Sequence, residues 1–413
     1  MKSWKRGSHR TLGPGETVAS IRPLCRDFGI TFVDDVTHWD RIGIPVVMVV
    51  RPEGRMFGVA QGKGLDIDAA IASGLMEAIE SWHAERVVLT RTVASVSQLY
   101  GAQPMLDVER LPLQRLGRLH DDLPIPWVEG IDLMNDGAPV LVPYALVHTD
   151  YCLPTQPGHG CFCNSSNGLA SGNSFEEALV HGICEVIERD ALAIWHGKSA
   201  AAKSGSRIDL ATIDDPDCLD LLDRFAAADM AVGVWDATSD IGVAVFHVEI
   251  IERGGRLPLF FPVPIAGDGC HPDRAVALVR ALTEAAQSRL TCLVGSRDDL
   301  DDPDAKLDED RVRRARRRIA ECGKQAGCFQ SVPHADAALF TEDVAWLLER
   351  FRMAGIDQVA AVDLSRPEFP QIAVVRVVVP GLETVVYHPK RVPGPRAINA
   401  RQTRILPIAE AMA

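Results

Sequence analysis

The chain has 413 residues, of which 43 are Lys or Arg and 56 are Asp or Glu, so its formal net charge is −13. This acidic balance excludes a protein that coats nucleic acid, because neutralising phosphates requires a surplus of basic side chains. Hydrophobic residues at 47% and charged residues at 24% exclude a disordered or fibrous chain. We expect no membrane span, since no apolar run is long enough. Without a secretory signal, the ten cysteines predict reduced thiols in a cytoplasmic protein.

Short apolar runs alternate with longer helical patterns along the chain. Runs rich in Val, Ile and Phe predict strands, and apolar residues at helical spacing predict helices. In chain order, the predicted elements are a strand at 45–50, helices at 67–88 and 174–194, strands at 243–250 and 259–265, helices at 272–294, 307–322 and 341–353, and strands at 359–362 and 372–379. The mixture of strands and helices predicts an α/β-type protein with a full-sized core.

The first long helix carries acids on an otherwise apolar sequence. Ser73, Glu77 and Glu80 stand at i, i+4 and i+7, which places them on one stripe. No Lys or Arg occurs from 65 to 85, so neither acid has a cation one turn away. We therefore expect a largely buried pair of carboxylates that needs a cation from elsewhere.

The second long helix repeats this arrangement. It begins with a capping box, in which Ser174 caps the helix and Glu177 follows three residues later. Glu177 shares one face with Glu185 and Glu188, and Arg189 follows directly. Taken alone, Glu177 is also explained as a cap, and Glu185 with Arg189 as an ordinary i, i+4 pair.

The third helix carries Arg280, Glu284 and Gln287 at i, i+4 and i+7, where the first two could also form a simple pair. Three such helices together favour a binding site. Four acids facing a shared cavity suit Mg²⁺, which usually accompanies nucleotide phosphates. Arg189, Arg289 and Gln287 would then contact polar groups of that ligand. The residues alone thus predict a Mg²⁺–polyphosphate site without a Walker A motif, and no particular reaction.

The same residues lie in segments by which the chain resembles the YcaO family over nearly its whole length. These segments are Ser8-His-Arg-Thr11, Asp40-Arg-Ile-Gly-Ile-Pro-Val46, Gln61-Gly-Lys-Gly64, Ser73 to Glu80, Ser166-Asn-Gly-Leu-Ala-Ser-Gly-Asn-Ser174, Glu185-Val-Ile-Glu-Arg-Asp190, Ala281-Leu-Thr-Glu-Ala-Ala-Gln-Ser-Arg289 and Gly295-Ser-Arg-Asp-Asp299.

The resemblance implies a YcaO-like fold of the α+β class, with a mostly antiparallel sheet and helices packed around a central ATP-binding cleft. It also implies ATP-dependent activation of a backbone amide in a ribosomally made peptide or protein. It implies that four acids hold Mg²⁺, namely Glu77, Glu80, Glu185 and Glu188. It implies nucleotide contacts from Ser73, Asn173, Glu177, Arg189, Glu284, Gln287, Arg10 and Lys63. The catalytic group is unknown at this stage. Because the motif helices have to converge, residues 1–380 are predicted to form one YcaO domain, followed by a Pro- and Arg-rich tail at 381–413.

The chain looks more like compact family members that work beside a TfuA-type partner and install thioamides. Two departures from the family pattern bear on the alternatives. Ser81 follows Glu80 where many members have Arg, and the Pro-x-Pro-x-Pro terminus typical of azoline-forming members is absent. An azoline-forming cyclodehydratase, or a non-catalytic accessory factor in peptide or ribosomal-protein modification, remain the alternatives. The sequence leaves open the substrate peptide, the sulfur donor and whether the chain forms a homodimer.

A group of thiols precedes the second motif. Cys152, His159, Cys161 and Cys163 could ligate zinc, although Cys-x-Cys is not the usual spacing. The simpler interpretation is ordinary reduced thiols. A catalytic role for Cys161 or Cys163 would need a lowered thiol pKa.

Overall fold

The computed structural model describes residues 2, 7–56, 58–155, 158–254, 264–294, 309–320, 326–384 and 391–402. Most of the strand predicted at 259–265 lies outside these residues. So do the family segment at 295–299 and, within the predicted tail, residues 385–390 and 403–413.

The described elements combine helices with antiparallel strands. The helices are α1 (Pro14–Ile21), α2 (Ile67–Glu85), α3 (Val96–Leu99), α4 (Phe175–Gly197), α5 (Ala200–Gly205), α6 (Pro216–Ala227), α7 (Arg274–Val294), α8 (Glu309–Ala320), α9 (Phe340–Met353) and α10 (Pro395–Gln402). The strands are β1 (Phe32–Asp35), β2 (Val46–Val50), β3 (Val59–Lys63), β4 (Thr92–Ala94), β5 (Ile125–Asp132), β6 (Ala138–Pro143), β7 (Leu169–Gly172), β8 (Met230–Asp236), β9 (Ala244–Glu252), β10 (Ile265–His271), β11 (Ala360–Asp363) and β12 (Ala373–Val378). The five predicted helices are confirmed as α2, α4, α7, α8 and α9.

The chain forms two compact units. The first unit consists of Met1–Ile79, Ser204–Thr238 and Gly242–Ala338, and the second of Glu80–Lys203, Ser239–Ile241 and Leu339–Ala413. The action of residues 1–380 as one functional domain stays a prediction. No helix in the described ranges is long and apolar enough to cross a membrane.

The first unit contains two three-stranded antiparallel sheets, β1-β2-β3 and β10-β9-β8. Helix α7 packs against β10 and β9, and the apolar residues between these elements, such as Phe246, Leu278 and Leu282, are almost fully buried. Strand β10 has glycine at positions that contact this helix. A Cβ atom on Gly267 would lie 2.2 Å from a backbone nitrogen of α7, so only glycine allows the close approach.

The second unit is built on a six-stranded antiparallel sheet. Its order is β4-β5-β11-β12-β7, with β6 paired to β5. Helix α4 packs against β7 and β12, and α9 and α10 pack against α4. Trp127, Phe162 and Phe351 are completely buried in this unit. Its packing positions the beginning of α4 beside the end of β7.

Two buried acids fix the segment that contains α10 to the second unit. Asp190 is fully buried, and Arg396 reaches both of its oxygens at 2.8 and 2.9 Å. Glu383, also buried, accepts hydrogen bonds from Arg391 and from the backbone nitrogens of Gly394 and Ala397. The cations and amides of residues 391–397 therefore compensate carboxylates that belong to the core of this unit.

Candidate functional site

In the first unit, the structure brings together three of the predicted nucleotide contacts. The ammonium group of Lys63, the last residue of β3, lies 2.6 Å from Oε2 of Glu284 and donates at 3.0 Å to Oε1 of Gln287. The amide of Gln287 donates in turn to the carbonyl of Gln61. All of these side chains except that of Gln61 are half-buried. The packing of α7 against β3 thus joins two sequence motifs that are more than 200 residues apart.

The helix α2 packs closely on β3 because glycines face each other. A Cβ atom on Gly62 would lie 2.2 Å from the backbone nitrogen of Gly74. The helix is continuous, so Ser73 and Glu77 share one face as predicted. The prediction that both α2 acids are largely buried is wrong for Glu77, which is exposed, whereas Glu80 is half-buried. An exposed carboxylate remains hydrated, so it needs no buried cation.

Two arginines of the first unit were also predicted to contact the ligand. Arg10 is half-buried beside the buried His9. Arg289 is buried, and its guanidinium forms ion pairs with Asp40 at 2.8 Å and Glu252 at 3.1 Å. These pairs favour a structural role for Arg289 instead of the predicted phosphate contact.

In the second unit, the beginning of α4 presents polar groups to a cleft. The hydroxyl of Ser174 accepts from the backbone nitrogen of Glu177 at 3.2 Å, which confirms the predicted cap. The carboxylate of Glu177 is buried and accepts at 3.0 Å from the amide of Asn173. Asn173 and Ser174 line a cavity of about 340 Å³ together with Asp363 and Arg366. The helix N-terminus and the guanidinium favour a negatively charged ligand, whereas the carboxylate of Asp363 opposes one.

Two of the predicted metal ligands are fixed by neighbouring parts of the chain around β7. The hydroxyl of Ser171 donates at 3.0 Å to Oε2 of Glu80, and the backbone nitrogen of Gly168 donates at 3.3 Å to Oε1 of Glu185. Since the two donors are three residues apart, both carboxylates lie along one short stretch of backbone. These bonds hold the two acids in defined orientations.

The other two predicted residues of α4 lie one helical turn further along. Glu188 is buried, with only 4% of its surface exposed. Arg189 is half-buried, and its Nε atom lies 3.9 Å from Oε1 of Glu188. The helix therefore carries a carboxylate and a guanidinium next to each other beyond Glu185.

Sequence reasoning missed Arg376, a buried residue of β12 that lies beside these acids. Its guanidinium donates at 2.6 Å to the carbonyl of Ser165. Burial lowers the pKa of Arg376, whereas Tyr151, Glu185 and Glu80 act in the opposite direction. An arginine inside a run of four valines was the signal in the sequence, because a charge in such a strand needs a buried partner. Arg376 is therefore a buried cation whose charge is felt by Glu80 and Glu185.

The cysteines that precede the second motif differ in their exposure to solvent. Cys152 is exposed, whereas Cys161 and Cys163 are buried, and the thiol of Cys163 contacts the carbonyl of Leu113 at 3.6 Å. Burial raises the pKa of the Cys161 thiol, which disfavours the reactive thiolate. These features favour reduced structural thiols over a nucleophile at Cys161.

The three motif helices of this α+β chain lie within a stretch that matches a known family. Residues 61–383 match the family described as YcaO cyclodehydratase, ATP- and Mg²⁺-binding. The chain therefore belongs to the YcaO family, and the predicted cofactors, ATP and Mg²⁺, are those of the family.

Individual relatives agree with this assignment. An uncharacterized protein in the tfuA 3′ region of Rhizobium leguminosarum bv. trifolii is 37% identical over 397 residues, which cover 94% of this chain and 92% of that protein. The structure of YcaO from Methanopyrus kandleri bound with AMPPCP and Mg²⁺ is 24% identical, with a TM-score of 0.71 over 95% of this chain and 97% of that one. A heterocyclase in complex with substrate and cofactor is 22% identical, with a TM-score of 0.73 over 92% of this chain. This chain spans 53% of the heterocyclase. The two structures confirm the predicted fold.

Proposed function

We propose that this chain uses ATP to activate a backbone amide of a ribosomally made peptide or protein, and that it forms a thioamide together with a TfuA-like partner. The supporting observation is its 37% identity, over nearly the full length of both proteins, to the Rhizobium protein of the tfuA 3′ region. Membership in an ATP- and Mg²⁺-binding family supports the use of ATP.

In this proposal, Glu77, Glu80, Glu185 and Glu188 hold Mg²⁺. Their oxygen donors fit the metal, because Mg²⁺ prefers carboxylate, phosphate and water oxygens. The bonds to Ser171 and Gly168 orient the carboxylates of Glu80 and Glu185 before the metal binds. Preorganised ligands reduce the entropy that binding would otherwise cost.

The nucleotide contacts in the proposal are Ser73, Asn173, Glu177, Arg189, Glu284, Gln287, Arg10 and Lys63. Lys63 is the cation best placed by the surrounding structure, since Glu284 and Gln287 hold its ammonium group. Asn173 stands at the start of α4 beside a cavity whose volume is in the range of small-molecule sites. These groups would orient and neutralise phosphates, which is the main contribution of a protein to phosphoryl transfer.

The proposed reaction exchanges the oxygen of an amide for sulfur. When bound, ATP supplies the phosphoryl group that turns the amide oxygen into a leaving group. A sulfur nucleophile at the oxidation level of hydrosulfide adds to the carbonyl carbon, and the resulting oxyanion is phosphorylated. Phosphate then leaves with the former carbonyl oxygen, and loss of a proton gives the thioamide. The cations Lys63 and Arg189 would offset the negative charge that develops.

The second candidate is azoline formation, which the family description and the likeness to a heterocyclase favour. In that reaction the nucleophile is a Cys, Ser or Thr side chain of the substrate. The substrate loses one water molecule as the ring forms. An accessory factor without catalysis would bind a partner but leave ATP intact. Mass spectrometry separates the three outcomes, since exchange of oxygen for sulfur, loss of water and no change give different product masses.

The test of the nucleotide site is calorimetric binding of Mg²⁺ with a non-hydrolysable ATP analogue. We expect Glu188→Gln to weaken binding by at least about tenfold, since it removes a charged ligand of the metal. Glu176→Gln, which changes a half-buried acid on the same helix, is the matched control and should bind as the wild type does. Equal binding by both folded variants would contradict the assignment of Glu188.

The test of the reaction is reconstitution with a TfuA-like protein, a candidate peptide, ATP and sulfide. A product with sulfur in place of oxygen, together with released ADP, is the expected result. Loss of water in the absence of the partner would support the azoline candidate instead. Intact ATP in a sample that binds the analogue would contradict both enzymatic candidates.

A further inference from the structure

Three histidines and two aspartates come together in the first unit, on segments far apart in the sequence. Ligand atoms of His9, Asp273 and Asp336 all lie within 4.8 Å of one another. Nδ1 of His334 lies 3.6 Å from Oδ1 of Asp273. The ring of His271 meets that of His9 edge-on, with 5.0 Å between the centroids.

The surrounding structure holds these groups in place. His9 and His271 are buried at 6% and 5% exposure, and the backbone nitrogen of Asp273 donates to Nδ1 of His271 at 2.9 Å. Asp273 also accepts from the backbone nitrogen of Ala275 at the start of α7, at 2.8 Å. A backbone bond from residue 335 to the carbonyl of residue 272, at 2.9 Å, joins the segments that carry Asp336 and Asp273.

We propose that His9, Asp273 and Asp336 bind a divalent transition-metal ion such as Zn²⁺. Imidazole and carboxylate donors suit Zn²⁺ and its first-row neighbours. At metal–ligand distances of about 2.0–2.2 Å, tetrahedral ligand atoms stand about 3.3–3.6 Å apart. The distance from Nε2 of His9 to Oδ2 of Asp273 is 3.9 Å, a few tenths of an ångström beyond this range. All three ligand atoms lie within 4.8 Å of one another, so a bound ion would draw them closer together.

The kinds of ligand atom distinguish this site from the magnesium site of the proposed function. Mg²⁺ prefers an all-oxygen environment and accepts imidazole poorly. Asp336 is exposed, which gives an ion from solvent a path to the buried His9. A bound ion would tie the segment of His9 and Arg10 to the start of α7. The inference does not depend on the proposed function.

The experiment is a titration of the chelator-treated full chain with Co²⁺ and then Zn²⁺ in millimolar Mg²⁺. We expect saturable binding of one Co²⁺ per chain, visible d–d absorption without an intense thiolate charge-transfer band, and displacement by Zn²⁺. Asp336→Asn, at an exposed position, should weaken binding at least about tenfold, and His9→Gln by more. The matched controls His38→Gln and Asp223→Asn change exposed residues of the same unit and should bind as the wild type does.

Three results would overturn the proposal. The wild type could show no saturable Co²⁺ or Zn²⁺ binding, which would leave the cluster as an ion pair around His9. Binding could persist in Asp336→Asn and in a folded His9→Gln variant, which would place the ion elsewhere. An intense thiolate band would assign it to cysteines. Binding of Mg²⁺ with the ATP analogue, measured on the same sample, tests the proposed function separately.

Discussion

Replacing His247 with glutamine is expected to remove a pH dependence of stability. The buried imidazole of His247 lies 2.6 Å from Oδ1 of Asp268 and 3.6 Å from Oε1 of Glu249, and Arg318 pairs with Glu249. Burial by itself lowers the pKa of His247, but the hydrogen bonds to Asp268 and Glu249 outweigh it and raise the pKa to about 9. The folded protein therefore holds this proton more tightly than the unfolded chain does.

The magnitude follows from the pKa difference. A shift from 6.5 to about 9 corresponds to roughly 3 kcal/mol, at 1.36 kcal/mol for each pKa unit. Because the folded pKa is the higher one, this stabilisation is fully present below about pH 6.5 and is lost as the pH rises through about 9.

The assay is chemical denaturation of wild type and His247→Gln at several pH values between these limits. The quantity compared is the change in unfolding free energy with pH, so a constant cost of the substitution does not interfere. Other groups that titrate at alkaline pH contribute equally to both proteins. Parallel curves for the two proteins would refute the reasoning.

Two further substitutions test the packing of each unit by the free energy of unfolding. Gly267→Ala should destabilise the protein by about 3 kcal/mol, because its Cβ would press on the backbone of α7; Gly205→Ala, with no neighbouring atom within 4 Å, should change stability by less than about 1 kcal/mol. Equal changes in unfolding free energy for the two variants would contradict this prediction, because they would show that β10 and α7 can move apart at little cost. Arg396→Met should cost about 3 kcal/mol, because the fully buried Asp190 loses its cation. An unchanged midpoint in denaturant would contradict that role.

The helices were predictable because their signals are local. The spacing of apolar residues located α2, α4 and α7 to within three residues at each end, and a serine marked the start of α4. The strands β5 and β6 were not predicted. Strand β5 contains Pro126 and Gly130, and β6 contains Pro139, all of which are unusual in strands. Their pairing in the six-stranded sheet overrides this local preference.

In the candidate site as well, relations within one helix were predictable, whereas contacts between elements were not. Spacing placed Ser73 and Glu77 on one face of a helix, since the helix itself determines that relation. The contact of Lys63 with Glu284 depends on how α7 packs against β3, which no local pattern encodes. The exposure of Glu77 likewise depends on the surrounding chain. Arg376 could have been found by asking why a strand of valines contains an arginine.

The anchoring of α10 has a consequence for handling this protein. Residues 391–397 carry the arginines and backbone amides that compensate two buried carboxylates, that of Asp190 on α4 and that of Glu383. Loss of residues 391–397 would remove that compensation. A preparation that lacks these residues would unfold at a lower temperature, although the proposed nucleotide and metal ligands were intact. Intact-mass analysis should therefore precede any conclusion from an inactive sample.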